Sequence, residues 1–434
     1  MTCAGDNSLT SARGFMWTTL VAVALVPRLL VIVFLMCGRP PEAYEYETIV
    51  QNLLTGKGYM YPHLGTEYFS FHSAYPYVLL TALVYQATNH SHVAMLLVQS
   101  VMSAMLVLVI NSLGRLVGGP GVGRLAGALV ALHPGLLYYD THKLAPLSLD
   151  AFLLAAATLA FCRLMTSPSI PRYAVAGLLS GAALLERGSF FLAIVGCMVA
   201  LFWIVRDKSI AIRGTIVFFL CGSLLMGPWL VRNFVRHGVP IFMTITGEHL
   251  WRGNNPNATG SSLTRDGVAL IETADTEFRK KLQGLDEIGQ MRLFMEIGTR
   301  YIIEHPGRFA WNVMKRLFYF AWFSPTTGLL YPAFYLLVYR IYYGAMLLAA
   351  GLGIFHLGHR LRGDDRAGWI VPAVLVGTWL SVGLIQSIFY VELRHRWGVE
   401  GLMLVMSGVG ILHVLGPYLA SAHWRAARGG LAKL

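Results

Sequence analysis

The chain has 434 residues, 56% of them hydrophobic and only 13% charged. Soluble globular proteins carry about 25% charged residues, so this composition excludes a water-soluble enzyme or binding module and points to a membrane protein. The net charge of +12 does not indicate nucleic acid. Lys and Arg gather in short loops between apolar runs, as the positive-inside rule distributes them.

A helix rises ~1.5 Å per residue, so about 20 apolar residues cross a ~30 Å hydrocarbon core. On that measure ten spans are predicted, at about 15–37, 92–113, 122–139, 146–165, 172–186, 189–205, 212–231, 333–357, 369–390 and 398–417. No small-residue cleavage site follows the first, which reads as a retained span rather than a signal peptide. The segments 75–88 and 308–323 are apolar and aromatic, and are read as interfacial or partly inserted helices. With ten spans, Arg115 and Arg124, Arg163 and Arg172, and Arg206, Lys208 and Arg213 fall on one side. Arg360, Arg362 and Arg366 join them, as does the tail with Arg425, Arg428 and Lys433. That side is cytoplasmic, and both termini with it.

The opposite face receives the loop 38–91, the short loop 140–143, the segment 232–332 and the short loop 391–397. The fold class is therefore all-α and polytopic, with interfacial helices and a small extracytoplasmic mixed segment. The chain divides into an N-terminal transmembrane catalytic module, 1–231, an outer region, 232–332, and C-terminal helices with a basic tail, 333–434. Within the outer region, 277–301 reads as one amphipathic helix ended near Pro306. Cys3, Cys37, Cys162, Cys197 and Cys221 form no Cys-x-x-Cys pair and read as small core hydrophobes.

The residues with chemistry cluster at the outer ends of the spans. Glu42, Glu45 and Glu47 follow the first span, interleaved with Tyr44 and Tyr46. A carboxylate beside apolar surface can act as general base on a hydroxyl or amine; a solvated loop with helix-start acids is the alternative. Asp140, His142 and Lys143 end another span, and Lys143 is a candidate phosphate ligand. Arg187 lies where two short spans meet, next to Glu186 as a plain partner. Arg232 ends the run Gly227-Pro228-Trp229-Leu230-Val231-Arg232-Asn233 and either snorkels to head groups or reaches a lipid phosphate. Arg252, Asn254 and Asn255 lie in a Gly-, Asn- and Pro-rich stretch, a ligand clamp or simply a tight turn. Arg394 and Arg396 sit on the outer face against the positive-inside bias; a phosphate group would compensate them, as would ion pairs with Glu392 or Glu400. No metal-ligand spacing, Walker loop or dinucleotide fingerprint is recognised, so no metal or cofactor is assigned and divalent-metal dependence stays open.

Taken together and in this order, these elements resemble the GT-C superfamily of polytopic glycosyltransferases, in its family-39-like branch, related to protein O-mannosyltransferases and aminoarabinose transferases. The resemblance is carried by Glu42 with Tyr46 four residues on, Asn52-Leu53-Leu54-Thr55-Gly56-Lys57-Gly58-Tyr59, and Ala74-Tyr75-Pro76. It continues through Leu184-Leu185-Glu186-Arg187, Pro228-Trp229-x-x-Arg232-Asn233, Gly253-Asn254-Asn255-Pro256-x-Ala258-x-Gly260, Tyr301-Ile302-x-Glu304-His305-Pro306 and Arg394-His395-Arg396. It implies inverting transfer of a sugar from a polyprenyl-phosphate donor to a glycan, lipid or protein acceptor at the outer membrane face. Glu42 would be the general base. Arg232, Arg252, Arg394, Arg396 and Lys143 would be candidates for the donor phosphate, and Tyr46, His72, Asp140, Arg187, Asn254 and Asn255 for substrate contacts. The sequence departs from the family pattern in Pro41 and Glu42, where relatives carry Asp or Asp-Glu, and in Ala145, where relatives carry an acid. A transporter or flippase of a lipid-linked saccharide, and a polysaccharide polymerase or ligase, are the alternatives. The first should show internal repeats and midplane charges, and no repeat is visible.

Overall fold

The computed structural model describes residues 4–36, 40–360 and 366–431; Cys3, Cys37, Arg362 and Lys433 lie outside them. The protein is a bundle of helices with two minimal sheets, Glu42–Ala43 paired with Lys143–Leu144 and Tyr61–His63 paired with Thr66–Tyr68. Among the described residues seven helices are long and apolar enough to cross a membrane. They contain the stretches Trp17–Phe34, His92–Ala131, Leu147–Thr166, Lys208–His237, Ala333–Arg360, Gly368–Ile388 and Leu393–Gly416. The predicted spans at 172–186 and 189–205 form as the shorter helices Ile170–Glu186 and Phe191–Ile204, meeting at Arg187 and Gly188.

Large apolar side chains such as Phe34, Phe219, Leu224, Phe334 and Leu348 face outward. Such a belt would drive a soluble protein to aggregate; on a polytopic bundle it is the lipid-facing surface. Without a hydrophobic force between helices inside lipid, close packing of small residues holds them together. A Cβ on Gly177 would stand 2.3 Å from the Phe218 carbonyl oxygen, and one on Gly353 would stand 2.1 Å from that of Met406. These glycines let Ile170–Glu186 lie against Lys208–His237, and Ala333–Arg360 against the helix that begins at Leu393.

Arg28, in the middle of the first span, is fully buried. Its Nε donates to Asp140 Oδ2 at 2.6 Å and its Nη1 donates to the carbonyls of Ala24 and Ala131. Asp140 also accepts from Ser103 at 2.5 Å and from Ser148. A buried charge is tolerable only when paired and hydrogen-bonded, and this network ties the first span to the helices that carry the outer loop around Lys143.

The segment 232–332 folds on itself around an apolar cluster of its own. Trp251, Phe278 and Phe294 pack with Leu270 and Leu282 into its small core. The Glu287 carboxylate accepts from the backbone N–H of Phe69 and Ser70 and from Thr244, which fastens the first outer loop to the outer region.

Three expectations are corrected. The helix expected over 277–301 is two, Thr276–Leu282 and Glu287–Glu304. Gly284 between them has φ of 88°, in the left-handed region that suits glycine, and Asp286 caps the second helix on the Gly289 N–H. The span expected at 122–139 stops at Ala131. His133 then caps a separate short helix, Pro134–His142, by accepting from the Leu136 N–H. The last span begins at Leu393, so Arg394, His395 and Arg396 occupy its first turn rather than a loop. The segments read as interfacial form 14- and 16-residue helices, Tyr75–Thr88 and Pro306–Ala321.

Candidate active site

Glu42 is placed by backbone pairing. Its two-residue strand runs parallel to Lys143–Leu144, with Glu42 opposite Lys143. Gln99 fixes the partner strand by donating from Nε2 to the Lys143 carbonyl at 2.9 Å. Lys143 Nζ then reaches Glu42 Oε2 at 2.9 Å and the Tyr44 hydroxyl at 2.6 Å, while Tyr44 donates to the same Oε2 at 2.5 Å. The ammonium also lies 5.5 Å from the ring centres of Tyr138 and Tyr139, a cation–π setting that holds it in place. Lys143 is nearly buried, but the Glu42 side chain is 54% exposed, and its Oε1 makes no hydrogen bond among the described residues. Burial alone would raise the Glu42 pKa; the hydrogen bonds from Tyr44 and Lys143 and the nearby positive charges outweigh it and hold the carboxyl below its ordinary value.

Glu45 opens the helix Glu45–Leu54, where the positive helix end favours acids. Its Oε1 meets His72 Nε2 at 3.0 Å, and the His72 ring stacks on Tyr46 at 5.1 Å. Burial pushes the Glu45 pKa up, but His72 and the charge of Arg394 bring it down to about 2.

Three arginines face this loop from other elements. Arg394 pairs through Nε with Glu392 Oε2 at 2.9 Å, and Glu392 is itself held by the Ser262 hydroxyl. The Arg394 terminal nitrogens carry no hydrogen bond among the described residues, and its side chain is 38% exposed. Its charge reaches Glu45, Tyr46, Tyr390 and His249, so it stands between the first outer loop and the outer region. Arg187 is anchored through Nε to Asp150 at 2.7 Å. Arg252 is anchored to Glu248, which His63 also contacts at 2.7 Å. Burial, with the cation of Arg252, drives the His249 pKa well down, so this ring is neutral. Arg187 and Arg252 also keep part of their side-chain surface accessible, at 22% and 20%.

The structure thus brings together Glu42, Glu45, Tyr46, His72, Lys143, Arg187, Arg252 and Arg394. The remaining sequence candidates are engaged elsewhere. Asp140 is consumed by the Arg28 network. Arg232 spends its Nη1 on the Phe69 carbonyl, the Ser70 hydroxyl and Asn233, so it holds the first outer loop in place. Arg396 is 1% exposed and donates to the carbonyls of Phe320 and Trp322 and to Tyr339. Asn254 donates to the carbonyls of Leu250 and Ile388, and Asn255 to those of Trp251 and Arg252. Their stretch is a backbone lock, closed by buried Arg316, which bonds the Gly253 carbonyl at 3.0 Å and the Phe389 carbonyl.

Sequence reading missed Tyr44 as a ligand of Glu42, and missed Asp150, Glu248, His63 and Arg316. The Glu248–Arg252 spacing of four was a readable signal; the others depend on long-range contacts. It also found no metal-ligand pattern, whereas Glu47, His90 and His92 converge in space.

No protein-family model matches the sequence, and no curated protein matches it. Solved structures do. The archaeal oligosaccharyltransferase AglB from Archaeoglobus fulgidus, in complex with an inhibitory peptide and a dolichol-phosphate, superposes with a TM-score of 0.56 at 14% identity, covering 95% of this chain and 52% of that one. The chain has the GT-C fold. The same oligosaccharyltransferase with Zn and sulfate gives 0.53 at 14% identity, over 96% of this chain and 51% of that one. The chain therefore spans about half the length of these proteins. ArnT from Cupriavidus metallidurans bound to undecaprenyl phosphate gives 0.44 at 13% identity, over 93% of this chain and 80% of that one, a superposition too loose to argue from.

Proposed function

We propose that the protein is a membrane glycosyltransferase that moves a sugar from a polyprenyl-phosphate donor to an acceptor at the extracytoplasmic face, with Glu42 as general base. The observation that carries this reading is Arg394. Its Nε is tied down by Glu392, its two terminal nitrogens carry no hydrogen bond among the described residues, and its positive charge acts on the ionised Glu45 carboxylate nearby. A guanidinium fixed at one edge and open at the other is suited to bind a phosphate through paired N–H groups. The neighbouring oligosaccharyltransferase was solved with a dolichol-phosphate, a lipid of the donor class proposed here.

The chemistry follows from charge. The acceptor hydroxyl or amine gives its proton to Glu42 Oε1 as its heteroatom attacks the anomeric carbon. The bond from that carbon to the phosphate oxygen breaks on the opposite side, so configuration inverts. The departing polyprenyl phosphate gains negative charge, and Arg394 meets it as a preorganised cation, with Arg187 and Arg252 beside it. Lys143 and Tyr44 keep Glu42 ionised and aimed. This makes it a weak base in solution terms but one always in the right protonation state. A polyprenyl chain cannot leave the bilayer, so the reacting carbon stays at head-group depth, where this loop lies. The positive-inside charges put the loop outside and both termini in the cytoplasm.

The test is turnover in proteoliposomes supplied with a mixed pool of polyprenyl-phosphate sugars, labelled in the sugar, and with membrane and glycan acceptors. The protein should release polyprenyl phosphate and move label to an acceptor. Arg394→Ala should lower turnover by roughly 10²–10³, as loss of one preorganised transition-state contact does. Passage of intact donor across the bilayer without transfer would identify a flippase instead.

A further inference from the structure

Glu47, His90 and His92 lie apart from this chemistry, and the mechanism uses none of them. Glu47 sits in the first turn of Glu45–Leu54 and reaches the turn after Tyr75–Thr88. His90 Nε2 stands 2.8 Å from Glu47 Oε1, and His92 Nε2 stands 3.2 Å from the same oxygen. All three ligand atoms lie within 4.8 Å of one another. A tetrahedral ion with bonds of ~2.0–2.2 Å holds its ligands about 3.3 Å apart, so these atoms are already at ligand spacing.

Two further features match a metal centre. Tyr85 donates to the other carboxylate oxygen, Oε2, at 2.6 Å, which orients Glu47 and leaves Oε1 for an ion; such outer bonds fix metal-binding carboxylates. Gln51 Nε2, at 3.3 Å, is the one other contact on Oε1. His90 has φ of 63°, a left-handed conformation that residues with a Cβ seldom adopt; this conformation delivers the ring to Glu47. The rings stay accessible, at 40% for His90 and 33% for His92, so an ion and a fourth, water ligand can reach them.

We infer that Glu47, His90 and His92 form a binding site for a divalent transition metal, of which zinc is the best fit, that clips the first outer loop to the head of the helix beginning at His92. Two imidazoles with one carboxylate select zinc, cobalt, nickel or copper over calcium and magnesium, which prefer all-oxygen sites. The ion joins three pieces of chain: the helix that carries Glu45, the turn 89–91, and the long helix His92–Ala131. Glu47 is two residues from Glu45 and five from Glu42, so the clip fixes the loop that carries both acids without touching substrate.

The experiment uses the full chain purified without a polyhistidine tag and stripped with a chelator. Wild type titrated with Co(II) should bind one equivalent, seen as a visible ligand-field band that Zn(II) abolishes, and Zn(II) should raise its thermal midpoint by several degrees. The double variant His90→Gln, His92→Gln keeps a side-chain donor for Glu47 but loses the imidazoles, so it should fold and lose both effects. The inference is overturned if wild type binds no stoichiometric metal, or if the double variant binds it as wild type does. The clip is overturned if bound metal leaves the midpoint unchanged.

Discussion

Glu45 and Arg28 show how individual side chains are set by partners far away in sequence. Glu45 falls from an ordinary value of 4.5 to about 2, against its burial, because His72 and Arg394 favour the carboxylate. A group whose folded pKa is lowered contributes stability that is present above its unfolded pKa and lost as pH falls toward the folded one. Thermal midpoints of wild type and Glu45→Gln should therefore differ at pH 7 and converge as pH drops from about 4.5 toward 2. A gap that stays constant with pH would contradict the pairing. Arg28 makes a second case. Arg28→Ala leaves Asp140 buried with only hydroxyl partners, and removal of one member of such a pair costs about 3–5 kcal/mol. Thermal unfolding in detergent should show that loss, and Asp140→Asn alone should show less. The sequence marked Asp140 as a site candidate; it could not show that Asp140 serves as the partner of Arg28, 112 residues away. Glu42, Lys143 and Arg394 stood out as candidates in the sequence because they sit at predicted span ends. Arg232 and Arg396 had the same outward signs, and only the carbonyls around them distinguish anchor from ligand.

The helices themselves were largely readable, since runs of about 20 apolar residues leave few alternatives, and the break at Gly118, Gly119 and Pro120 falls between the predicted spans 92–113 and 122–139. Gly118 and Gly119 have non-helical backbone angles in the structure. Errors arose where periodicity continued through a break. The apolar pattern of 277–301 runs on across Gly284, and backbone geometry there overrides it. The Gly253 stretch looked like a ligand clamp because Gly, Asn and Pro serve turns and clamps alike. A Cβ at Gly253 would stand 1.7 Å from the Phe389 carbonyl oxygen and 2.4 Å from Arg316 Nη1, so close approach, not ligand binding, requires glycine. Gly253→Ala should cost at least the upper end of the about 1–3 kcal/mol typical of overpacking. A thermal midpoint equal to that of wild type would show that this junction is looser than the structure draws it.

At the scale of the molecule, the bundle supplies a lipid-facing belt, and five separate pieces of chain contribute to the proposed site. Composition foretold the membrane, and the order of motifs foretold the fold. The way these pieces are fastened was not foretold, because Glu287, Arg316 and Asn233 hold them through contacts that no local pattern records. If the proposed site faces outward, Lys57→Cys should react with an impermeant maleimide in intact cells, and Arg124→Cys only after permeabilisation; the reverse would invert the topology. The central claim is that Glu42 removes the acceptor's proton during sugar transfer. Turnover of Glu42→Gln against wild type in reconstituted membranes tests it most directly. Loss of general-base help should lower turnover by roughly 10²–10⁴ while donor binding persists, whereas turnover within twofold of wild type would contradict the assignment.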